Sequence, residues 1–173
     1  MIGYTDFDWG GSKQDGRSTT GGCFRLGSSM ILWMNRKQDI VSLSSVEAEY
    51  ITACKVSREV VWLRSLLSDL FEGLVDPTVI HCDNTNCIRF SEDPVFHGKT
   101  EHINNKYHYI RKLVQDGVLQ LQYISTYEHV ADTLTRSLPN KKLVYLRDKL
   151  GLVDISSLVE RERDRHIILV FIS

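Results

Sequence analysis

The stretch Val41-Ser-Leu-Ser-Ser-Val-Glu-Ala-Glu-Tyr-Ile-Thr-Ala53 constrains the fold more than any other part of this chain. Two serines stand ahead of a pair of glutamates, and an apolar-periodic run follows. Ser44 or Ser45 can act as an N-cap, with Glu47 near the position that a capping box requires. Val46, Tyr50, Ala53, Ser57, Val60 or Val61, and Arg64 then recur at helical spacing, which predicts a helix over roughly residues 44–71. Glu49 falls on the edge of the buried stripe. Glu47 lies about 200° round the helix from it, so the two carboxylates cannot do one job together. One reads as a first-turn charge that suits the helix dipole. The other is a carboxylate held against the core, which needs a reason to be there.

Three further acids supply a reason. Asp6 follows Met-Ile-Gly-Tyr-Thr, Asp83 follows Thr-Val-Ile-His-Cys, and Asp132 opens Asp-Thr-Leu-Thr-Arg. In each case a short strand-like or helix-start segment delivers an aspartate. Four carboxylates converging from separate elements repel one another unless divalent cations sit between them. Mg²⁺ binds through a few carboxylates plus waters and phosphates, and two such ions about 3.5–4 Å apart are a recurring phosphodiester-cleaving device.

In chain order, residues 2–7 read as a strand. Residues 21–26 and 29–33 read as a hairpin joined by Gly27-Ser28. After the long helix, with Gly73 and Pro77 at its exit, residues 78–82 form a buried strand and 84–91 a short helix. Residues 101–116 form a helix with Ile103, Tyr107, Ile110 and Val114 on one face, and 118–124 a last strand. Residues 128–138 read as a helix carrying Asp132 and stopped by Pro139. Residues 140–150 read as an amphipathic helix with Leu143, Leu146 and Leu150. Strands first, then strands alternating with helices, predict an α/β layer fold with a mixed sheet.

Length and composition fit one domain with a real core: 173 residues, 42% hydrophobic and 25% charged. The formal charge of −1 argues against tight, non-specific nucleic-acid binding by global charge, so any such grip is local or comes from a neighbouring domain. Cys23, Cys54, Cys82 and Cys87 do not read as a disulfide framework. His81, Cys82, Cys87, His97 and His102 are near one another in sequence, but their spacing fits no zinc finger or ribbon. No signal peptide opens the chain, and no apolar run reaches the ~20 residues that span a membrane.

Several phrases carry a resemblance: Gly3-Tyr-Thr-Asp-Phe-Asp-Trp9, Arg17-Ser-Thr-Thr-Gly-Gly22, Ile31-Leu-Trp33, Ser42-Leu-Ser-Ser-Val-Glu-Ala-Glu-Tyr-Ile51, Trp62-Leu-Arg64, Cys82-Asp-Asn84, Pro94-Val-Phe-His97, His102-Ile103, Tyr107-His-Tyr-Ile-Arg111 and Val130-Ala-Asp-Thr-Leu-Thr135. Their joint order resembles the ribonuclease H domain at the end of the polyprotein of copia-type LTR retrotransposons. The match covers roughly residues 2–153 and leaves 154–173 as an unmatched charged and apolar tail. The resemblance implies a ribonuclease H-like α/β fold, a five-stranded mixed sheet flanked by helices. It implies hydrolysis of the RNA strand of RNA–DNA hybrids during reverse transcription. It also implies two Mg²⁺ ions (or Mn²⁺) on Asp6, Glu49, Asp83 and Asp132. The partners it implies are the hybrid and the reverse transcriptase domain of the parent polyprotein, in a virus-like particle or the nucleus, with no membrane.

The residues leave some choices open. Asp8 competes with Asp6 on the first strand, and Glu47 competes with Glu49. Asp83 can be a plain helix N-cap, and Asp132 a first-turn acid. His129 stands where a mobile histidine would matter, at a spacing unlike that of cellular relatives, and otherwise reads as a polar helix start. Lys99, Lys106, Arg111 and Lys112, with His102 and His108, form the densest basic stretch, either tracking a phosphate backbone or simply solvated. Asn104 stands where the family often has aspartate. The rival reading is a catalytically idle or co-opted ribonuclease H-like remnant acting as a binding module. A zinc-binding interaction module is the third.

Overall fold

A computed structural model describes residues 1–71, 76–92 and 101–152. The side chains of Asn86, Phe90, Glu92 and residues 101–104 lie outside that description, as do Gly73, the phrase Pro94–His97, Lys99 and the tail from residue 153 onward.

Three antiparallel strands open the fold: β1 (Ile2–Asp8), β2 (Thr19–Leu26) and β3 (Ser29–Lys37). The hairpin between β2 and β3 turns at Gly27, whose φ of +60° is open to glycine at no steric cost. Helix α1 (Ser45–Leu70) follows, then β4 (Thr78–Cys82), α2 (Thr85–Glu92), α3 (Glu101–Gln115) and β5 (Leu119–Tyr123). A short 3₁₀ helix (Val130–Leu134) and α4 (Asn140–Leu150) complete the described chain. Among the described residues the sheet has five strands in the order β3-β2-β1-β4-β5, with β4 parallel to β1 and β5 parallel to β4.

The period-2 alternation of the strands divides the core between two faces. On one, Phe24 and Ile80 pack with Tyr50, Ala53, Val56, Val60 and Leu63 of α1 and with Tyr107 and Ile110 of α3. On the other, Cys23 packs with Val130, Ala131 and Leu146, and Tyr4 lies against them. Two adjacent glycines let both layers come close. A Cβ on Gly22 would meet Val56 Cγ2 at 2.9 Å. One on Gly21, facing the opposite way, would meet Thr135 Cγ2 at 2.5 Å and Leu134 Cβ at 3.2 Å.

The segment 128–138 departs from the expected helix. Only the five residues Val130–Leu134 are helical, and in the tighter 3₁₀ form. Thr133 Oγ1 donates to the Val130 carbonyl at 2.7 Å, and Thr135 Oγ1 to the Asp132 carbonyl at 3.3 Å. Hydroxyls that claim nearby carbonyls compete with the helical ladder, and 3₁₀ pieces seldom run further. In α4 Leu146 is fully buried and Leu150 half-buried, whereas Leu143 is exposed, so the apolar face is narrower than its spacing predicts.

Gly21→Ala is expected to lower stability by about 1–3 kcal/mol, the range for overpacking a filled site. Thr135 cannot yield freely because its hydroxyl is bonded to Asp6. A melting temperature unchanged from the parent chain would show that the 3₁₀ helix is not held against Gly21.

Candidate functional site

β1 is where the sheet changes direction: the chain leaves it for β2 on one side and reaches β4 on the other. A crevice opens at such a switch point beyond the carboxyl ends of parallel strands. Asp6 lies near the end of β1, and Asp83 follows the last residue of β4. Both line a polar cleft of about 490 Å³, together with Phe7, Asp8, Trp9, Ser45, Asn84, Thr85 and Arg136.

Glu49 reaches this region because the first turn of α1 is fastened to the sheet. Ser44 is the N-cap, and its hydroxyl accepts from Glu47 N at 3.2 Å. The Glu47 carboxylate accepts from Leu43 N at 2.7 Å. Gln38, fully buried just beyond β3, donates to the Ala48 carbonyl at 2.9 Å and to Thr52 Oγ1 at 3.1 Å, and accepts from Ser42 Oγ at 2.9 Å. Glu47 is therefore a first-turn acid that is buried and caps the backbone ahead of the helix, while Glu49 interacts with Asp83 and Asp6. Burial, then the proximity of Cys82 and Asp83, push the Glu49 carboxyl up to about 9, with Asp6 adding to the shift and a hydrogen bond from Asn84 opposing it. Its Oε2 is enclosed and has no hydrogen-bond partner.

The other three acids are compensated unequally. Asp6 is 2% exposed; burial raises its pKa, against the Thr135 hydroxyl, Arg136 and His129. Arg136 Nη2 sits 3.2 Å from Asp6 Oδ1, and Arg136 Nε sits 2.6 Å from Asp132 Oδ1. Lys142 also pairs with Asp132. Asp83 is half-buried and accepts from Thr126 Oγ1 at 3.0 Å. Asp8 stands at the cleft rim, two residues beyond Asp6.

His129 does stand at a helix start, as the N-cap of the 3₁₀ helix. It is completely buried, with Nε2 2.8 Å from the Thr5 carbonyl. One of its ring nitrogens and one carboxylate oxygen each from Asp6 and Asp83 all lie within 4.8 Å of one another. Glu49 and Asp132 flank this tight group without belonging to it. The donors are hard oxygens and one imidazole, gathered around unsatisfied buried atoms, and such a set suits a divalent metal.

Arg136 is the site residue that sequence reasoning missed, whereas His129, a candidate in the sequence, stands in the cluster with Asp6 and Asp83. A signal for Arg136 was present, because it stands four residues after Asp132 in a locally helical segment. Nothing local marked Lys142. The basic stretch is only partly free to meet a ligand. Arg111 Nη2 donates to Tyr107 Oη at 2.6 Å, and its guanidinium lies 4.6 Å from that ring's centroid. Lys106 is half-buried beside Ile40, Val41, Leu43 and Glu47, and Lys112 is exposed. The four cysteines are buried free thiols.

The chain is 40% identical over 152 residues to the retrovirus-related Pol polyprotein from transposon RE1 of Arabidopsis thaliana, a match over 88% of this chain. It is 37% identical over 153 residues to that from transposon TNT 1-94 of Nicotiana tabacum. It spans only 10% and 11% of the length of these two relatives. Among solved structures, LC11-RNase H1 in complex with an RNA/DNA hybrid superposes with a TM-score of 0.55 at 19% identity, covering 78% of this chain and 92% of that one. RNase H1 from the archaeon Halobacterium salinarum superposes with a TM-score of 0.54 at 12% identity, covering 83% and 96%. No protein-family model matches.

The raised Glu49 pKa fixes the sign of a pH effect. The folded chain holds this proton up to about 9, whereas an unfolded chain releases it near 4.5. Between those limits the folded state binds more protons, so stability is greatest at the acid end and falls as pH rises. Melting temperatures measured in chelator should therefore decline from about 4.5 to about 9, and Glu49→Gln should flatten the decline. An equally steep decline in the variant would mean that Glu49 is not the group responsible.

Proposed function

We propose, from the homology of this chain to the retrovirus-related Pol polyproteins of copia-type transposons and from its ribonuclease H fold, that it hydrolyses the RNA strand of RNA–DNA hybrids. The observation that carries this reading is that Asp6 and Asp83 share one polar cleft and gather with His129, while Glu49 interacts with Asp83 and Asp6 and Asp132 shares Arg136 with Asp6. Buried acids without a ligand are a cost that a merely structural domain has no reason to bear.

Asp6, Glu49, Asp83 and Asp132 hold the divalent metal in this reading, as two Mg²⁺ ions. When bound, the metal supplies Lewis acidity that activates a water and stabilises charge on the scissile phosphate and the departing 3′-oxygen. The chain's own groups do the positioning. Thr135 and Thr126 fix the carboxylates of Asp6 and Asp83, and Asn84 does the same for Glu49. Arg136 is a built-in competitor for cations at Asp6 and Asp132, and its half-exposed guanidinium lines the cleft, where it can meet a phosphate. No side-chain nucleophile is required.

The hybrid is read by shape, through backbone phosphates and the 2′-hydroxyls that mark the RNA strand. With a formal charge of −1, the chain takes its grip locally and from the reverse transcriptase domain of the parent polyprotein. Lys106 and Lys112 are the described lysines of the basic stretch that we assign to backbone contact. Lys99 belongs to the same assignment but lies outside the described residues.

The deciding experiment is cleavage of an RNA–DNA hybrid with and without Mg²⁺, by this chain and by Asp83→Asn. Loss of an outer-shell partner commonly costs roughly 10–100-fold, so loss of a ligand should cost more than ~100-fold. Absence of cutting by the folded chain at low salt, even when the upstream polyprotein domain is supplied, would favour a catalytically idle remnant that binds partners. A separate outcome concerns Arg136→Gln. It should bind Mg²⁺ several-fold more tightly by calorimetry, because a competing charge is gone, while its rate on the hybrid falls.

A further inference from the structure

His129 has two ring nitrogens, and only one is accounted for by packing. Nε2 faces the Thr5 carbonyl at 2.8 Å. A carbonyl can only accept, so Nε2 carries the hydrogen, and in the neutral ring the Nδ1 lone pair is free. Nδ1 is enclosed and has no hydrogen-bond partner. Leaving such an atom unsatisfied is an appreciable cost. A histidine wanted only to pin the 3₁₀ helix to β1 would not need it, because the Nε2 bond alone does that.

The surroundings give the lone pair a use. A His129 ring nitrogen stands within 4.8 Å of carboxylate oxygens of both Asp6 and Asp83. Neighbouring ligands on a small octahedral ion are about 3 Å apart and opposite ones about 4.2 Å, so the three groups meet at one ion by closing inward. A metal-ligating histidine almost always donates its other N–H to a carbonyl or carboxylate, which fixes the tautomer and the ring orientation. The His129–Thr5 bond is that arrangement, with the carbonyl belonging to the residue immediately before Asp6.

We propose that His129 Nδ1 is a metal ligand, completing a nitrogen-and-two-oxygen set with Asp6 and Asp83. This rests on the metal-carboxylate reading above and adds an identity to it. Imidazole nitrogen favours first-row transition ions, whereas Mg²⁺ prefers oxygen alone. The position held by His129 therefore discriminates in favour of ions such as Mn²⁺ over Mg²⁺.

The test uses Mn²⁺ as the probe, read by electron spin-echo spectroscopy of the full chain and by calorimetry. The wild type should show imidazole nitrogen modulation on bound Mn²⁺, and His129→Gln should lose it. The Mn²⁺-to-Mg²⁺ affinity ratio should fall roughly 10-fold in that variant. Mn²⁺ bound by the wild type and released by Asp83→Asn, but without nitrogen modulation, would overturn the His129 assignment and leave the carboxylate site standing. No saturable Mn²⁺ binding by the folded wild type would overturn both. The wild-type spectrum decides the point even if the variant folds poorly.

Discussion

Carboxylates that cannot move apart set the terms for this molecule. Two unit charges about 4 Å apart repel by ~4 kcal/mol at the effective dielectric of a protein surface, and Asp6, Glu49 and Asp132 are all buried. The fold meets that cost in three different ways. Asp132 receives two cations, Arg136 and Lys142. Asp6 receives a hydroxyl and a share of the same guanidinium. Glu49 receives no cation among the described residues, and its pKa is pushed up to about 9 instead. The least compensated acid is thus the one delivered by the first turn of a long, N-capped helix.

The sheet sets where that helix lies. Gly21 and Gly22 are consecutive residues of β2, facing opposite layers, and each admits a neighbour that a side chain would exclude. Gly22 admits α1, which carries Glu49, and Gly21 admits the 3₁₀ helix, which carries Asp132. Gln38 then ties the start of α1 to β2 and β3 through bonds that are all buried. The crevice at the ends of β1 and β4 is closed from both sides by elements whose distance from the sheet is fixed by two missing side chains.

Much of this was legible before any coordinates. Strong periodicity gave α1 and α3, the Gly27-Ser28 turn gave the hairpin, and the run before Asp83 gave β4. Local chemistry hid the rest. Two threonine hydroxyls turn an expected helix into a single 3₁₀ turn. The capping role of Glu47 was legible from its place after Ser44, but not that the capping carboxylate is as buried as Glu49. Arg111 looks like a free cation in sequence and is folded onto Tyr107 in space. Lys142 meets Asp132 only through the packing of α4. His129 was read by its position near a helix start, whereas what defines it is a carbonyl on the first strand.

That last pairing has a consequence in time. Thr5 and His129 are 124 positions apart, and Asp6 and Arg136 are 130 apart. Such contacts form only after much of the loop-closure entropy has been met. During synthesis, β1 through β3 and α1, which carry Asp6 and Glu49, are made before the groups that orient and neutralise Asp6. A partly synthesised chain therefore holds its acids without their counterparts. The cluster around Asp6 is complete only when the segment carrying His129 and Arg136 docks against the first strand.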